Sequence, residues 1–484
     1  MFRKNDLIRI SDNCWELSPA SMKGMRVPAR VYANETLIGH IVSDDSLQQV
    51  ANVATLPGIQ KYSLAMPDIH SGYGFPIGGV AATDIDEGGV ISPGGIGYDI
   101  NCGVRLMRTN LCAKDVSPVI DKLVTGIYNA VPVGVGGEGD IRLTEKTMKK
   151  LLEKGARWTV EQGFGTQNDL DNTESNGCLT DARAECVSNR AVKRGLNQAG
   201  TLGSGNHFIE IQQVEQIYDE QTAYNYGLEK EQIVVMIHTG SRGLGYQVCT
   251  DAVEQMRPAP RKYGYELPDK QLVCAPFRSP EGQDYFGAVC AAANFAWGNR
   301  QYIMELVRRV FERVYTASAQ NLGMSLLYDV AHNIAKIETY SIDGKKKRLC
   351  VHRKGATRAF PAGHPDVPSQ YRSHGQPVLV PGDMGTQSFV LTGLDAAMQE
   401  TFGSMCHGAG RMLSRTAAKK KYSPEQVIKE LNQKGITIMA KGRGTIVEEA
   451  SGAYKDVGAV VQSVVDAGLA KRVARLCPIG VVKG

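Results

Sequence analysis

A chain of 484 residues with 42% hydrophobic and 22% charged residues can bury a large core and is neither disordered nor fibrous. Its net charge of +5 neither demands nor excludes a nucleic-acid partner. Eleven scattered cysteines without a CxxC pair argue against a small secreted disulfide scaffold, and no apolar stretch reads as a signal peptide or membrane span, so a cytoplasmic protein is expected.

Taken in order, VPARVYA (27–33) and the HIV run at 40–42 read as strands, and SLQQVANVATL (46–56) as a helix stopped by Pro57-Gly58. In Ala65–Pro76, Asp68 and His70 lie two apart and share a face if that segment is a strand. The following IGGVAATDIDEGGVISPGG alternates β-branched runs with glycine turns, like hairpins, and leads into SPGGIGYDINCGVRL (92–106). There Asp99 and Cys102 place a carboxylate and a thiol within one turn of chain, a pair that suits a transition metal better than Ca²⁺ or Mg²⁺. The plain alternative is a glycine turn with one buried cysteine.

Residues 146–162 and 181–198 pattern as helices, and 131–140 and 166–180 as loops. TLGSGNHFIEI (201–211) sets Asn206 and His207 before a strand carrying Phe208, Ile209 and Glu210, and IVVMIHTGSRGLG (233–245) is a buried strand ending in His238 before a turn with Arg242. A long helix spans 287–318, and LLYDVAHNIAKIE (326–338) brings His332 and Asn333 to the end of an apolar run. The segment 344–361 is the most basic in the chain. VLVPGDMGTQSFVLTG (378–393) reads strand, turn, strand, CHGAGR (406–411) precedes a helix, and 423–475 reads helix, strand, turn, helix. No repeat or linker interrupts the chain, which favours one interwoven domain over 1–484.

Of nine histidines, His207, His238, His332 and His407 each sit where an apolar run meets a turn, whereas His40, His352, His364 and His374 do not. Three imidazoles with Asp99 and Cys102 would suffice for two ions, with the thiolate able to bridge them. The clusters HTGSRGLG, PGDMGTQS and HGAGR combine glycine amides with hydroxyls or arginine, a composition that cradles phosphate, although each alone also reads as an ordinary turn. Two metals beside phosphate cradles point to phosphoryl or nucleotidyl transfer.

The motifs PDIHSGYGFPIGG, SPGGIGYDINCGVR, GSGNHFIE, HTGSRGLG, AHN, PGDMGTQS and CHGAGR, in that order and with Lys483 near the C-terminus, closely resemble the RtcB-type RNA-splicing ligases along essentially the whole chain. The resemblance implies an α+β fold of antiparallel or mixed sheets wrapped by helices. It implies a GTP- and Mn²⁺-dependent ligase that joins an RNA 3′-phosphate or 2′,3′-cyclic phosphate to a 5′-hydroxyl end, with archease as an activating partner known in the family. By motif, Asp99, Cys102, His207, His238 and His332 would hold two Mn²⁺ ions, and His407 would carry GMP. GTP would meet Asn206, His207, Phe208, Ile209, Glu210, His332, Asn333, Pro381, Gly382, Asp383, Met384, Ser388, His407, Gly408, Ala409, Gly410 and Lys483, with Asp68, Arg242 and Tyr454 as further site residues. Arg242 and the basic run 344–358 would contact the RNA backbone, the alternative for the run being a solvated charged hairpin. The competing expectations are a dinuclear phosphoesterase and an RNA-binding subunit with a vestigial metal site.

Overall fold

The computed structural model describes residues 2–484. Its frame is two large sheets. One holds seven strands, in spatial order Ile8–Ser11, Cys14–Leu17, Ala29–Tyr32, Ile59–His70, Ile77–Asp84, Lys345–Lys354 and Asn333–Ile342. Only the pairing of Ala29–Tyr32 with Ile59–His70 is parallel. A parallel pairing needs a crossover connection, and the helices Glu35–Ile41 and Ser46–Val53 provide it.

The second sheet runs Ser325–Ala331, Gly103–Cys112, Gln232–Thr239, Phe208–Ile217, Ala470–Lys483, Ser388–Gly393 and Pro377–Val380, and Thr437–Ala440 pairs in parallel with the end of Ala470–Lys483. The chain passes between the two sheets at His332, which separates Ser325–Ala331 from Asn333–Ile342. The helix Pro280–Tyr315, 36 residues long, packs against the second sheet's Gln232–Thr239. Ser279 caps it by accepting from Gly282 N–H, with Pro280 at the first helical position. Tyr285 to Met304 are buried on every face, as befits a core helix. Among the described residues no helix is long and apolar enough to cross a membrane.

Several local expectations are corrected. The HIV run ends a helix, Glu35–Ile41, because Asn34 caps it by accepting from Leu37 N–H and Leu37, Ile38 and Ile41 turn to the core. The expected helix at 146–162 is two, Glu145–Lys154 and Ala156–Glu161, broken at Gly155, whose φ of 58° is left-handed and whose missing Cβ would lie 2.2 Å from the Gly177 carbonyl. Of 181–198 only Asn189–Gly195 is α-helical, while the expected loop 166–180 contains the helix Gln167–Asp171. Val90–Ile91 does not form a hairpin with the strand before it but pairs with Ala275–Pro276. The turn expected after His238 is the first turn of the helix Arg242–Met256.

Beneath the second sheet lies a buried ionic network. The Asp329 carboxylate accepts from Arg105 Nε (2.8 Å), from Arg300 Nε and Nη2 (both 2.8 Å) and from Trp297 Nε1 (3.2 Å). Arg105, Arg300 and Asp329 are all fully buried. Breaking such a group by removing one partner leaves uncompensated buried charge, which costs about 3–5 kcal/mol. Asp329→Ala should therefore lower unfolding stability by about that amount, seen as a fall in the urea midpoint. Arg443→Ala, which breaks the exposed pair with Glu425, should leave the midpoint almost unmoved.

Candidate active site

Strand register explains why residues far apart in sequence meet. Gly103 pairs with Thr239 and Val104 with His238, Phe208 pairs with His238, and Ala331 pairs with Gly103. Because these pairings are antiparallel, the starts of two strands and the ends of two others fall on one rim of the sheet. Cys102 precedes Gly103–Cys112, His207 precedes Phe208–Ile217, His238 is the penultimate residue of Gln232–Thr239, and His332 follows Ser325–Ala331. Lys483 reaches the same rim by pairing with Phe208.

The side chains form two donor groups sharing one thiol: Asp99, Cys102 and His207, and Cys102, His238 and His332. Cys102 Sγ lies 3.4 Å from His207 Nε2 and 3.3 Å from His238 Nε2. His238 Nε2 and His332 Nε2 are 3.2 Å apart, and His207 Nε2 is 2.8 Å from Asp99 Oδ2. His207 Nδ1 lies 2.9 Å from Leu202 O, which fixes the ring with Nε2 toward the group. Burial, reinforced by neighbouring positive groups, holds His238 and His332 far below the ordinary histidine pKa, so both are neutral. Burial works against ionisation of Asp99, but the His207 imidazole outweighs it and brings the carboxyl down to about 2. In the metal-free protein, burial and then Asp99 push the Cys102 thiol well up.

His407 stands beside this cluster without belonging to either donor group. Its ring centroid is 4.9 Å from that of His332. Asp68 Oδ2 lies 2.6 Å from His407 Nδ1 and also accepts the backbone N–H of His407 (2.9 Å) and of Gly408 (3.3 Å). Burial opposes ionisation of Asp68, yet these contacts hold its carboxyl below the ordinary value. An anion at Nδ1 keeps the proton there and leaves Nε2 free. Gly410 closes the loop against this strand: with φ of 71°, a Cβ there would lie 2.3 Å from Asp68 O. Lys455 ties the two segments together, donating from Nζ to the carbonyls of Pro67 and Ile69 and from its backbone N–H to Gly410 O.

A cavity of about 650 Å³ joins the two groups. Asp99, Cys102, His238, His332 and His407 line it, as do Asn206, Phe208, Asn333, Pro381, Gly382, Asp383, Gly408, Ala409, Gly410, Tyr454 and Lys483. His207 and Asp68 touch these residues from behind the wall. Glu210 and Ser388 lie deeper, both hydrogen-bonded to Gln212 Nε2 (2.7 and 3.1 Å). Ile209 and Met384 pack into hydrophobic clusters. Tyr454 hydrogen-bonds Glu449 and receives Arg411 Nη1 (3.0 Å). Arg242, with a left-handed φ of 56°, binds Thr201 Oγ1 (3.2 Å) and Gly134 O (3.3 Å) and so braces the loop that carries His207.

Two expectations change. The PGDMGTQS segment is a closed turn rather than an open amide cradle: Gly382, Asp383 and Gly385 N–H are taken by Ser388, Thr386 and Asp383 side chains. The basic run 344–361 is neither wholly a solvated hairpin nor a single RNA-facing strip. Its first half is mostly exposed, but Arg353, Lys354 and Arg358 are buried. Arg353 pairs with Glu338 at 2.6 Å. Lys354 lines the cavity, donates to Tyr73 O (2.6 Å) and Phe75 O (2.9 Å), and is pushed down to about 7 by burial. Arg411, read from the sequence as part of the HGAGR cradle, lines the cavity, and sequence reasoning missed only its neighbour Arg415 on the same wall, four residues further on.

Comparison with known proteins gives the family of the whole chain. A family model described as tRNA-splicing ligase RtcB matches residues 49–484. The chain is 55% identical over 478 residues to the tRNA-splicing ligase RtcB of Thermococcus kodakarensis, covering 99% of both chains. It is 54% identical to that of Archaeoglobus fulgidus, again over 99% of both, and 50% identical to that of Methanococcus maripaludis, over 99% of this chain and all of the other. The chain belongs to the RtcB family of tRNA-splicing ligases and is an RNA ligase.

Proposed function

We propose that this ligase joins RNA 3′-phosphate or 2′,3′-cyclic phosphate ends to 5′-hydroxyl ends through a guanylated His407, using GTP and two Mn²⁺ ions, in tRNA splicing and RNA repair. The observation that carries the reading is a fourth functional histidine, outside both donor groups, aimed by a buried carboxylate into the cavity those groups line. A phosphoesterase that activates water at two metals has no need of a covalent guanylate on such a residue.

The residues fit metal. Two imidazole Nε2 atoms and a sulfur converge within about hydrogen-bond distance, an arrangement of soft and borderline donors that a transition-metal cation would satisfy. Asp99, Cys102 and His207 would hold one ion and Cys102, His238 and His332 the other. Bound there, divalent cations would neutralise phosphate charge and stabilise departing oxygens. The choice of Mn²⁺ follows the family resemblance.

His407 Nε2 attacks the α-phosphorus of GTP, forming a P–N bond as the bond to the β-phosphate oxygen breaks and pyrophosphate leaves. The Nδ1 proton stays between His407 and Asp68, whose charge offsets the cationic ring. An oxygen of the RNA 3′-phosphate then attacks the guanylate phosphorus, breaks the P–N bond and restores neutral His407. A 5′-hydroxyl next attacks the RNA 3′-phosphorus, forms the phosphodiester, loses its proton and releases GMP. A cyclic phosphate is first opened by water. The cavity walls hold nucleotide and RNA ends in line, which is where much of the acceleration in such transfers arises.

Two substitutions separate this reading from the phosphoesterase. Cys102→Ala should lose bound metal, measured by elemental analysis, together with both guanylation and joining. His407→Ala should keep its metal, fail to label with GTP, and still join RNA that already carries a guanylated 3′ end. Loss of metal and of sealing together in His407→Ala would make His407 a ligand and sink the assignment.

GTP should support guanylation far better than ATP, with a discrimination of as much as roughly 10⁴–10⁵ where buried polar groups are left unpaired by the wrong base. Burial pushes the Glu210 carboxyl up to about 8, against the pull of Lys483. If the anion accepts from the guanine N–H edge, guanine binding must draw off that proton. Apparent GTP affinity should then rise with pH toward 8, and Glu210→Gln should flatten that rise. Equal labelling by ATP and GTP would contradict the selectivity.

A further inference from the structure

We propose that Tyr98 and Tyr246, with Arg194, form a stacking site for an unpaired nucleobase at the RNA end, beside the metal cluster. The proposal rests on the ligase reading and names where its RNA lies. Tyr98 adjoins the ligand Asp99 and lines the cavity. Its ring stacks on Tyr246 with centroids 4.8 Å apart and planes 24° from parallel, and Tyr73, also on the cavity wall, tilts against Tyr98 at 5.7 Å. The row therefore begins inside the cavity and ends at Tyr246, an exposed large side chain with 48% of its surface open.

The row is held rigidly. Tyr246 sits on the first turns of Arg242–Met256, and that end of the helix is pressed against the Asp99 segment: a Cβ on Gly240 would meet the Asp99 carboxylate at 2.5 Å, and one on Gly245 would lie 3.3 Å from Ile100 N. The ladder and the metal ligand are thus fixed to one another. Tyr98 stands at the Asp99 end of the cluster, while His407 stands beside His332. A base on the ladder would therefore approach the cluster at its Asp99 end.

Charge completes the site. The Arg194 guanidinium lies 5.1 Å from the Tyr246 ring centre and is hydrogen-bonded to the neutral Gln247 Oε1 (3.0 Å). It belongs to the helix Asn189–Gly195, where Arg190, Lys193 and Arg194 are all exposed and share one face by their i, i+3, i+4 spacing. A guanidinium over an aromatic ring occupies the place a nucleobase takes, and it can swing to a phosphate when a base displaces it. Aromatic rings leading to a cationic helix face match single-stranded RNA, whose bases stack without regard to sequence while its phosphates meet the positive groups. Reading by stacking also suits a ligase that must accept different end sequences.

The test uses the full-length enzyme with single-stranded RNA carrying 2-aminopurine, placed either at the last nucleotide of a 3′-phosphate strand or at the first of a 5′-hydroxyl strand. Stacking should quench the fluorescence of one of the two, which identifies the strand held. Tyr246→Leu should abolish the quench and raise the KM for RNA about tenfold, and Tyr246→Phe should preserve both. Protein guanylation measured without RNA reports that the Leu variant is folded and competent in the first step. Quenching that survives Tyr246→Leu, or that is absent at both positions, overturns the proposal. A wild-type enzyme that never becomes guanylated would overturn the reaction assigned above while leaving the quenching result to decide the platform.

Discussion

One buried guanidinium holds the geometry on which the chemistry depends. Arg300 has five N–H donors, and the structure uses all of them: Nε and Nη2 on Asp329, Nη1 on the carbonyls of Asn101 (2.7 Å) and Thr239 (2.9 Å), and Nη2 also on Asn101 Oδ1 (3.0 Å). Asn101 precedes Cys102, Thr239 follows His238, and Asp329 lies three residues before His332. A single planar group therefore fixes three of the segments that carry metal-ligating side chains. It also holds Asn101 in a left-handed conformation, φ 52°, which residues other than glycine seldom adopt. Lysine could not replace it, since an ammonium lacks the fork that reaches three chain segments at once.

The other half of the site is held by an anion rather than a cation. Asp68 accepts three N–H groups from His407 and Gly408 with a single oxygen, and Lys455 braces the strand on either side of it. The two devices belong to different sheets: Arg300 organises the rim of the second, and Asp68 closes the strand Ile59–His70 of the first. His332, the residue at which the chain changes sheet, stands between them and faces both His238 and His407. Each half can thus be exact in position without constraining the other.

Much of this was legible in the sequence because polar residues at the ends of apolar runs mark strand termini. His207, His238 and His332 were recognised that way, and antiparallel register then forces them together. The D-x-x-C spacing and the fourth histidine of the set, His407, are equally visible. What could not be read were residues whose partners come from distant strands. Arg300 looked like one more arginine on a long helix, Lys354 like part of a solvated basic run, and Asp68 like half of a weak D-x-H pair. Their roles arise from burial, which a linear pattern of charge does not reveal. Helix ends were misjudged for a local reason: Asn34 and Gly155 act through a single cap and a single left-handed residue, and both override the apolar periodicity around them.

The covalent role of His407 is the step on which the proposed reaction depends. The direct measurement is mass spectrometry of the intact enzyme, and then of its peptides, after incubation with GTP and Mn²⁺ without RNA. The predicted result is the addition of one GMP, acid-labile as a phosphoramidate, confined to the peptide carrying Cys406 to Arg411 and absent when Asp68 is replaced by Ala. A guanylate found on another residue, such as the buried cavity lysine Lys354, or full joining activity with no protein-bound guanylate at any time, would contradict it.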